Sequence, residues 1–345
     1  MLVFDGIIFS LQRNGGISVY FEELWRRFSS LQCESRILMF GDNEVSTRVK
    51  PGPKRSDFDA RLMERYRNVS IEGSGLFHSS YYRSSRSGKF LNITTVYDFT
   101  YERYMKAPSR WLHSWQKFKS IRNSDAVLCI SESTKSDLCE YMPDISESRV
   151  FVTPLAGHEA FRSDTSIAVP DDYVVFVGSR VSYKNFSLLV HALGRLRGMR
   201  LWVAGGGPFS EAELALLDRV LPERYFHQGN VTIERLKDVY NHAVCLVYPS
   251  AYEGFGIPVL EAMAAGCPVI ALKSSSIPEV AGDSAILLES ADQSCLADAI
   301  QRISQSDVRR DLIAKGFQRA QLFSWDATFN KTMVVYETLL GSTLQ

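Results

Sequence analysis

The chain is 345 residues long, 45% hydrophobic and 23% charged, which suits two domains with cores of their own and excludes a disordered or low-complexity polymer. Its 39 basic and 39 acidic side chains cancel, yet residues 48–122 hold 16 of the former against 6 of the latter. No apolar run reaches the roughly 18 residues that a membrane-spanning helix needs, and no zinc-finger, RNA-recognition or helix-turn-helix signal accompanies the basic stretch, which excludes nucleic acid in favour of an anionic membrane face or phosphorylated lipid.

Met1 to Phe4 reads as a short strand, and Met1–Asp5 has neither the basic n-region nor the long apolar h-region of a signal peptide. The expected location is therefore cytoplasmic, free or peripheral on the inner face of the plasma membrane. Gly15 and Gly16 precede an amphipathic helix from about Ile17 to Ser29, where they either let backbone approach a ligand or make an ordinary turn. Residues 42–75 are polar and rich in Arg. Leu91–Tyr97 reads as a strand ending at Asp98, which is a candidate ligand-facing carboxylate or a helix cap. Pro108–Asn123 reads as a helix carrying Trp111, Trp115 and Phe118 among Arg110, Lys117, Lys119 and Arg122, which is either a core stripe or a basic membrane anchor. Ala126–Ile130 is a further strand leading to Ser131 and a helix, and Val150–Pro154 closes this half.

After a polar linker from Gly157 to Pro170, a second α/β unit opens with the strand Tyr173–Gly178. Arg180 and Lys184 stand on its strand-to-helix turn, where two cations suit a diphosphate. Gly205-Gly206-Gly207-Pro208 ends the next strand without the third glycine of a dinucleotide fingerprint, and no P-loop motif occurs anywhere. Ala243–Tyr248 is a buried strand that stops at Pro249. Its loop carries Glu253-Gly254-Phe255-Gly256-Ile257, followed by Pro258 at a first helical position and a helix that stops at Gly266. Strand, glycine loop and helix N-terminus make an anion site. The flanking Glu253 and Glu261 would repel phosphate but suit hydroxyls, since a carboxylate accepts two hydrogen bonds from a vicinal diol. Phosphate, diol and close backbone approach together point to a nucleotide sugar. The six cysteines, at 33, 129, 139, 245, 267 and 295, form no C-x-x-C pair and read as reduced, and the six histidines have no metal-ligand spacing.

Glu253-Gly-Phe-Gly-Ile-Pro-Val-Leu-Glu261 resembles the E-x7-E motif of retaining glycosyltransferases of the GT-B fold, the large family typified by glycogen synthases, sucrose synthases and bacterial polysaccharide transferases. Ile8–Gln12 followed by Gly15–Phe21 is similar to the start of members that build capsule and O-antigen chains. The resemblance implies an α/β protein with two Rossmann-like, doubly wound domains facing a central cleft. Residues 1–156 would be the acceptor side, 157–324 the nucleotide-sugar domain and 325–345 a helix crossing back to the first. It implies Arg180, Lys184 and Glu253 as catalytic, and Gly16, Gly254, Phe255, Gly256, Ile257 and Glu261 as donor-binding, with Val231 by the nucleotide base. Asp98 and Gly15 would be acceptor-side, although Tyr97-Asp98 departs from the His-Asp frequent in the family.

The implied activity is a retaining, metal-independent hexosyl transfer without a cofactor. The expected donor is a nucleotide sugar, a GDP-sugar with a mannose-like moiety being favoured. The expected acceptor is a glycan or lipid-linked glycan of lipopolysaccharide or capsule synthesis. A D-x-D sequence, Asp57-Phe58-Asp59, is the metal motif of the other major glycosyltransferase fold, but here it follows a Pro-Gly-Pro loop instead of a buried strand. The alternatives are a nucleotide-sugar epimerase or hydrolase of the same architecture and a catalytically silent nucleotide-sugar scaffold. The intact Arg180, Lys184, Glu253 and Glu261 speak against the scaffold.

Overall fold

The structure, a computed structural model, describes residues 1–12, 15–31, 33–40, 55–58, 63–106, 108–161 and 171–341. Asp57 and Phe58 of the D-x-D sequence end a parallel strand, Arg55–Phe58, where the sequence reading places them after a loop, while Asp59 and most of the Gly157–Pro170 segment lie outside the described residues. The chain divides into two compact units, one of Met1–Leu155 with Trp325–Gln345 and one of Ala156–Ser324.

The first unit contains β1 (Leu2–Asp5), α1 (Ile8–Leu11), α2 (Gly16–Phe28), β2 (Ser35–Phe40), β3 (Arg55–Phe58), β4 (Gly75–Ser79) and β5 (Phe90–Val96). It continues with α3 (Thr100–Tyr104), α4 (Ser109–Arg122), β6 (Ala126–Cys129), α5 (Glu132–Tyr141) and β7 (Val150–Val152). The seven strands form a parallel sheet in the order β3-β2-β1-β4-β5-β6-β7. β1 and β6 are buried along their whole length, as expected of parallel strands covered on both faces.

The second unit contains β8 (Tyr173–Val177), α6 (Phe186–Gly194), β9 (Arg200–Ala204), α7 (Glu211–Val220), β10 (Tyr225–Gln228), α8 (Ile233–His242) and β11 (Leu246–Tyr248). α9 (Ile257–Ala264), β12 (Val269–Leu272), α10 (Ile277–Ala281), β13 (Ile286–Leu288), α11 (Gln293–Ile303) and α12 (Ser306–Gln321) complete it. Its six-stranded parallel sheet runs β10-β9-β8-β11-β12-β13. Val174, Phe176, Leu189, Val203, Leu217, Val247, Ile270 and Leu296 are among the buried residues of its core, with Cys245 beside them as a small hydrophobe.

The last helix, α13 (Trp325–Leu340), returns to the first unit and shares an aromatic core with α2 and β1. Phe28 lies 5.3 Å from Phe4, 4.7 Å from Phe329 and 5.1 Å from Tyr336, measured between ring centres. The Tyr336 hydroxyl meets Nδ1 of His78 in the middle of β4, and His78 Nε2 lies 2.8 Å from Thr95 Oγ1. Burial lowers the His78 pKa to about 3, so this imidazole is a neutral strut between helix and sheet.

One helix is inverted relative to a simple amphipathic stripe. α4 buries His113, Gln116, Lys117, Ser120 and Ile121 and leaves Trp111 66% and Trp115 56% exposed. Lys117 is therefore no surface cation: its Nζ lies 2.8 Å from both Glu102 Oε2 and the Asp98 carbonyl, inside the unit. The core reading fails for both tryptophans, and the basic-face reading fails for Lys117.

Candidate functional site

In each sheet the strand order reverses once, between β1 and β4 in the first and between β8 and β11 in the second. Open α/β sheets bind ligands beyond the carboxyl ends of the strands at such a switch point, because neighbouring loops there diverge to opposite faces and leave a crevice. In the second unit the two loops at this point are the β8 loop, with Arg180 and Lys184, and the β11 loop, with Glu253 to Gly256.

The two loops are stitched together. Ala251 N donates to the Tyr183 carbonyl at 2.7 Å and Asn185 Nδ2 to the Pro249 carbonyl at 2.8 Å. Asn185 holds a left-handed conformation (φ 52°) that asparagine tolerates better than most residues. Lys184 Nζ lies 3.0 Å from Glu253 Oε1, an ion pair in which that oxygen makes no hydrogen bond among the described residues. Behind it, Tyr248 is buried, and burial first and then the Glu253 carboxylate push its phenol well above the ordinary range. The pair thus faces a neutral wall.

The Glu253 loop is braced from β12. Glu253 N donates to Ser275 Oγ at 2.8 Å, and Ser276 Oγ donates to the carbonyls of Glu253 and Phe255 at 2.9 Å each. The Phe255 ring is buried edge-on against Phe323, with ring centres 5.8 Å apart, so it anchors the loop. Gly256, the residue before α9, has φ 100°, and a Cβ there would come within 2.8 Å of Ile277. Only glycine fits that turn. Ile257 and Pro258 open α9, whose N-terminal amides are in general left without intrahelical acceptors.

Glu261 lies one turn into α9. Burial raises its pKa from 4.5 to about 7, and among the described residues no protein hydrogen bond to its carboxylate offsets that cost. The residue is half-buried by accessible surface, so its carboxylate keeps acceptor positions that a ligand's donors can reach.

Arg180 is differently employed. Its Nε donates to Glu213 Oε1 at 2.9 Å and its Nη2 to the carbonyls of Gly207 and Pro208 at 2.6 and 2.8 Å, while the guanidinium covers the Phe209 ring at 4.6 Å. Glu213 is also the capping-box residue of α7: burial disfavours its charge, but the Ser210 amide and hydroxyl and Arg180 outweigh that and hold it below the usual glutamate range. The structure thus brings Lys184 and Glu253 together and holds Arg180 on the neighbouring turn.

Between them lies a floor of glycines that the sequence reading passed over. Gly178, Gly205 and Gly206 all have positive φ, at 116°, 76° and 69°. A Cβ on Gly178 would lie 3.5 Å from Lys184 Nζ, and one on Gly206 only 2.7 Å from Arg180 Nη1 and 3.1 Å from the Gly178 carbonyl. The signal was the Gly205-Gly206-Gly207 run, discounted because it is no dinucleotide fingerprint. Val231 sits on the rim beyond β10, two residues from Gly229, whose Cβ would lie 3.7 Å from the Gly206 carbonyl.

In the first unit Gly15 precedes α2 in an ordinary extended conformation (φ −176°), and Gly16 is the first helical residue. Asp98 Oδ1 accepts the Thr100 amide at 2.9 Å, the turn role open to it from sequence. The described residues contain no cluster of three or more His, Cys, Asp or Glu able to hold a metal, and none of their helices is long and apolar enough to cross a membrane.

Residues 171–306 match the model of the family described as glycosyl transferases group 1. O-antigen chain mannosyltransferase B of Escherichia coli is 27% identical over 239 residues, 64% of this chain and 62% of that protein, so the match leaves over a third of the relative uncovered. MMP alpha-(1->4)-mannosyltransferase of Mycolicibacterium hassiacum is 28% identical over 322 residues, 86% of this chain and 74% of that one. The sucrose-phosphate synthase of Thermosynechococcus elongatus superposes over 99% of both chains with a TM-score of 0.76 at 18% identity, a likeness of fold. Two doubly wound units of matching strand order, the superposition and the family match together identify a chain of the GT-B fold whose second unit carries a group 1 glycosyltransferase domain.

Proposed function

We propose that the protein is a retaining glycosyltransferase that moves a mannose-like sugar from a nucleotide sugar, a GDP-sugar in the first instance, to a growing or lipid-linked glycan. The observation that carries this reading is the meeting of Lys184 and Glu253 over a glycine floor at the switch point, one helical turn from the unpartnered Glu261. The mannosyltransferase relatives support the choice of sugar.

In this reading the donor diphosphate lies over Gly178, Gly205 and Gly206 against Lys184, with Arg180 joining it by exchanging its Glu213 and carbonyl partners. The amides of Gly254, Phe255, Gly256 and Ile257 turn toward the phosphate and sugar, as helix N-termini do. Glu261 accepts the ribose diol, Glu253 the donor sugar's hydroxyls, and Val231 borders the base. As the bond from C1 to the diphosphate oxygen breaks, Lys184 and Arg180 stabilise the charge growing on that oxygen, which is where preorganised cations lower a barrier. The acceptor hydroxyl attacks C1 from the same face and passes its proton to the departing phosphate, so configuration is retained and no side-chain nucleophile is required. The two cations take the place of a metal. Asp98 and Gly15 belong to the acceptor side.

The test is a panel of nucleotide sugars incubated with purified protein and glycan acceptors, in EDTA. Product forming only when donor and acceptor are both present, with the anomeric configuration of the donor by NMR, is expected. Turnover of the donor to an isomer or free sugar at the same rate without acceptor would instead establish an epimerase or hydrolase.

A further inference from the structure

We propose that the outer ridge of α4 docks the protein on an anionic lipid bilayer. The helix packs on its unit mainly through polar side chains, His113, Gln116, Lys117 and Ser120, with Ile121 as its buried apolar residue, and turns Trp111, Leu112 and Trp115 outward at 66, 44 and 56% exposure. A helix on a water-facing surface places its apolar residues the other way round. Trp is also the side chain most at home at a membrane interface, where its ring is buried among headgroups and its N–H stays wet.

The chemistry around the ridge selects a bilayer of negative charge. Residues 109–122 contain no Asp or Glu. Lys119 is exposed, with its ammonium 4.9 Å from the centre of the Trp115 ring, and Arg122 is 54% exposed. Beside them runs a groove of about 320 Å³ lined by Trp115, Phe118, Lys119, Arg122 and Asn123, which pairs aromatic walls with two cations as a phosphate headgroup requires. Asp144, 3.1 Å from Arg122, is the acidic neighbour of this patch and is itself 55% exposed, so the pair is one that a headgroup can exchange. Lys117 takes no part, being neutralised inside by Glu102.

Tryptophan fluorescence and vesicle sedimentation test this directly. The chain has five tryptophans, of which Trp25, Trp202 and Trp325 are buried, so a blue shift on adding vesicles reports Trp111 and Trp115. Wild-type protein is expected to pellet and to shift with vesicles of phosphatidylcholine and phosphatidylglycerol at low salt, less at high salt, and little with phosphatidylcholine alone. Trp111→Ala/Trp115→Ala should lower partitioning by about tenfold or more, and Lys119→Glu by about fivefold or more. Both sites are exposed, so the thermal midpoint should not move, and the wild-type fluorescence arm stands independently of either variant's folding. Negligible pelleting without a spectral shift in every condition overturns the proposal. So does pelleting untouched by the double substitution, and so does a dimer that the double substitution dissociates with no lipid effect, which would make the ridge a contact between copies.

Discussion

The two sheets share one strand order, so topology nominates the same place in both: beyond β1 and β4 in one unit, beyond β8 and β11 in the other. The backbone there differs. In the second unit four glycines at positive φ, 178, 205, 206 and 256, lay backbone bare, and Glu261 has no hydrogen-bonding partner among the described residues. In the first unit the equivalent ground is crossed by the protein's own side chains, although Asp5 Oδ2 and Arg83 Nε and Nη1 are buried there without a hydrogen bond among the described residues. Asp5, at the end of β1, is buried 3.5 Å from Arg83, whose Nη2 donates to Glu64 at 3.2 Å. Ile8 N donates to Ser80 Oγ at 3.1 Å, and the Tyr97 hydroxyl to the Ser80 carbonyl at 3.0 Å. What sets the second switch point apart is therefore the bare backbone of Gly178, Gly205, Gly206 and Gly256, since strand order and unpartnered polar atoms occur at both.

That contrast predicts a steep ranking of substitutions. Lys184→Ala should lower kcat by about 10²–10³, the scale of removing one donor from a site of developing negative charge. Retention of wild-type kcat would dissolve the comparison altogether. Next comes Glu261→Gln, which should raise donor KM by about tenfold or more with little change in kcat, because ribose is held alike in ground and transition states. Its pH behaviour sharpens the point. A carboxyl raised from 4.5 to about 7 keeps a proton in the native state that the unfolded chain has lost, so stability falls as pH rises between those values and stays at the lower level above them. Wild-type protein should therefore lose about 1–3 kcal/mol across that window that Glu261→Gln does not lose. Urea melts in which wild type and Glu261→Gln change equally in unfolding free energy between pH 5 and pH 8 would show that Glu261 is not so buried.

Gly206→Ala ranks third. Forcing a side chain into a left-handed residue costs about 1–2 kcal/mol, and the new Cβ must displace Arg180, 2.7 Å away. We expect a lower thermal midpoint together with a severalfold higher donor KM. Gly207→Ala is the control, since its Cβ meets nothing within 4 Å; equal effects from the two would remove the floor from the site.

The E-x7-E loop was legible because its residues are contiguous and each carries a local meaning: Gly256 the turn, Pro258 the helix start, Glu261 the first-turn carboxylate. The glycine floor was not. Gly178, Gly205 and Gly206 matter through a contact between two loops, and linear spacing carries no information on which loops the strand order makes neighbours. Arg180 shows the same limit, for its partner Glu213 reads locally as a helix cap. α4 was misread in part because periodicity identifies a face without saying which way it points: Lys117 went in with Glu102, and both tryptophans went out.

The smallest effect is expected in the first unit, at Asp98. Its Oδ1 accepts the Thr100 amide and its carbonyl accepts Lys117 Nζ, so the residue has structural duties whatever else it does. Asp98→Asn preserves them, because an amide oxygen accepts the same backbone hydrogen bond and the carbonyl is untouched; it deletes only the charge. If Asp98 meets the acceptor, as proposed, acceptor KM should rise severalfold, the loss of a charge-assisted bond replaced by a neutral one, while donor KM and the thermal midpoint stay at wild-type values. Asp98→Ala adds the loss of the turn, about 1 kcal/mol of stability by analogy with a helix cap. Steady-state kinetics at saturating donor with acceptor varied, run beside thermal melts, separate the two. An unchanged acceptor KM in Asp98→Asn with a destabilised Asp98→Ala would leave Asp98 as a turn residue and move the acceptor's contacts elsewhere on that rim.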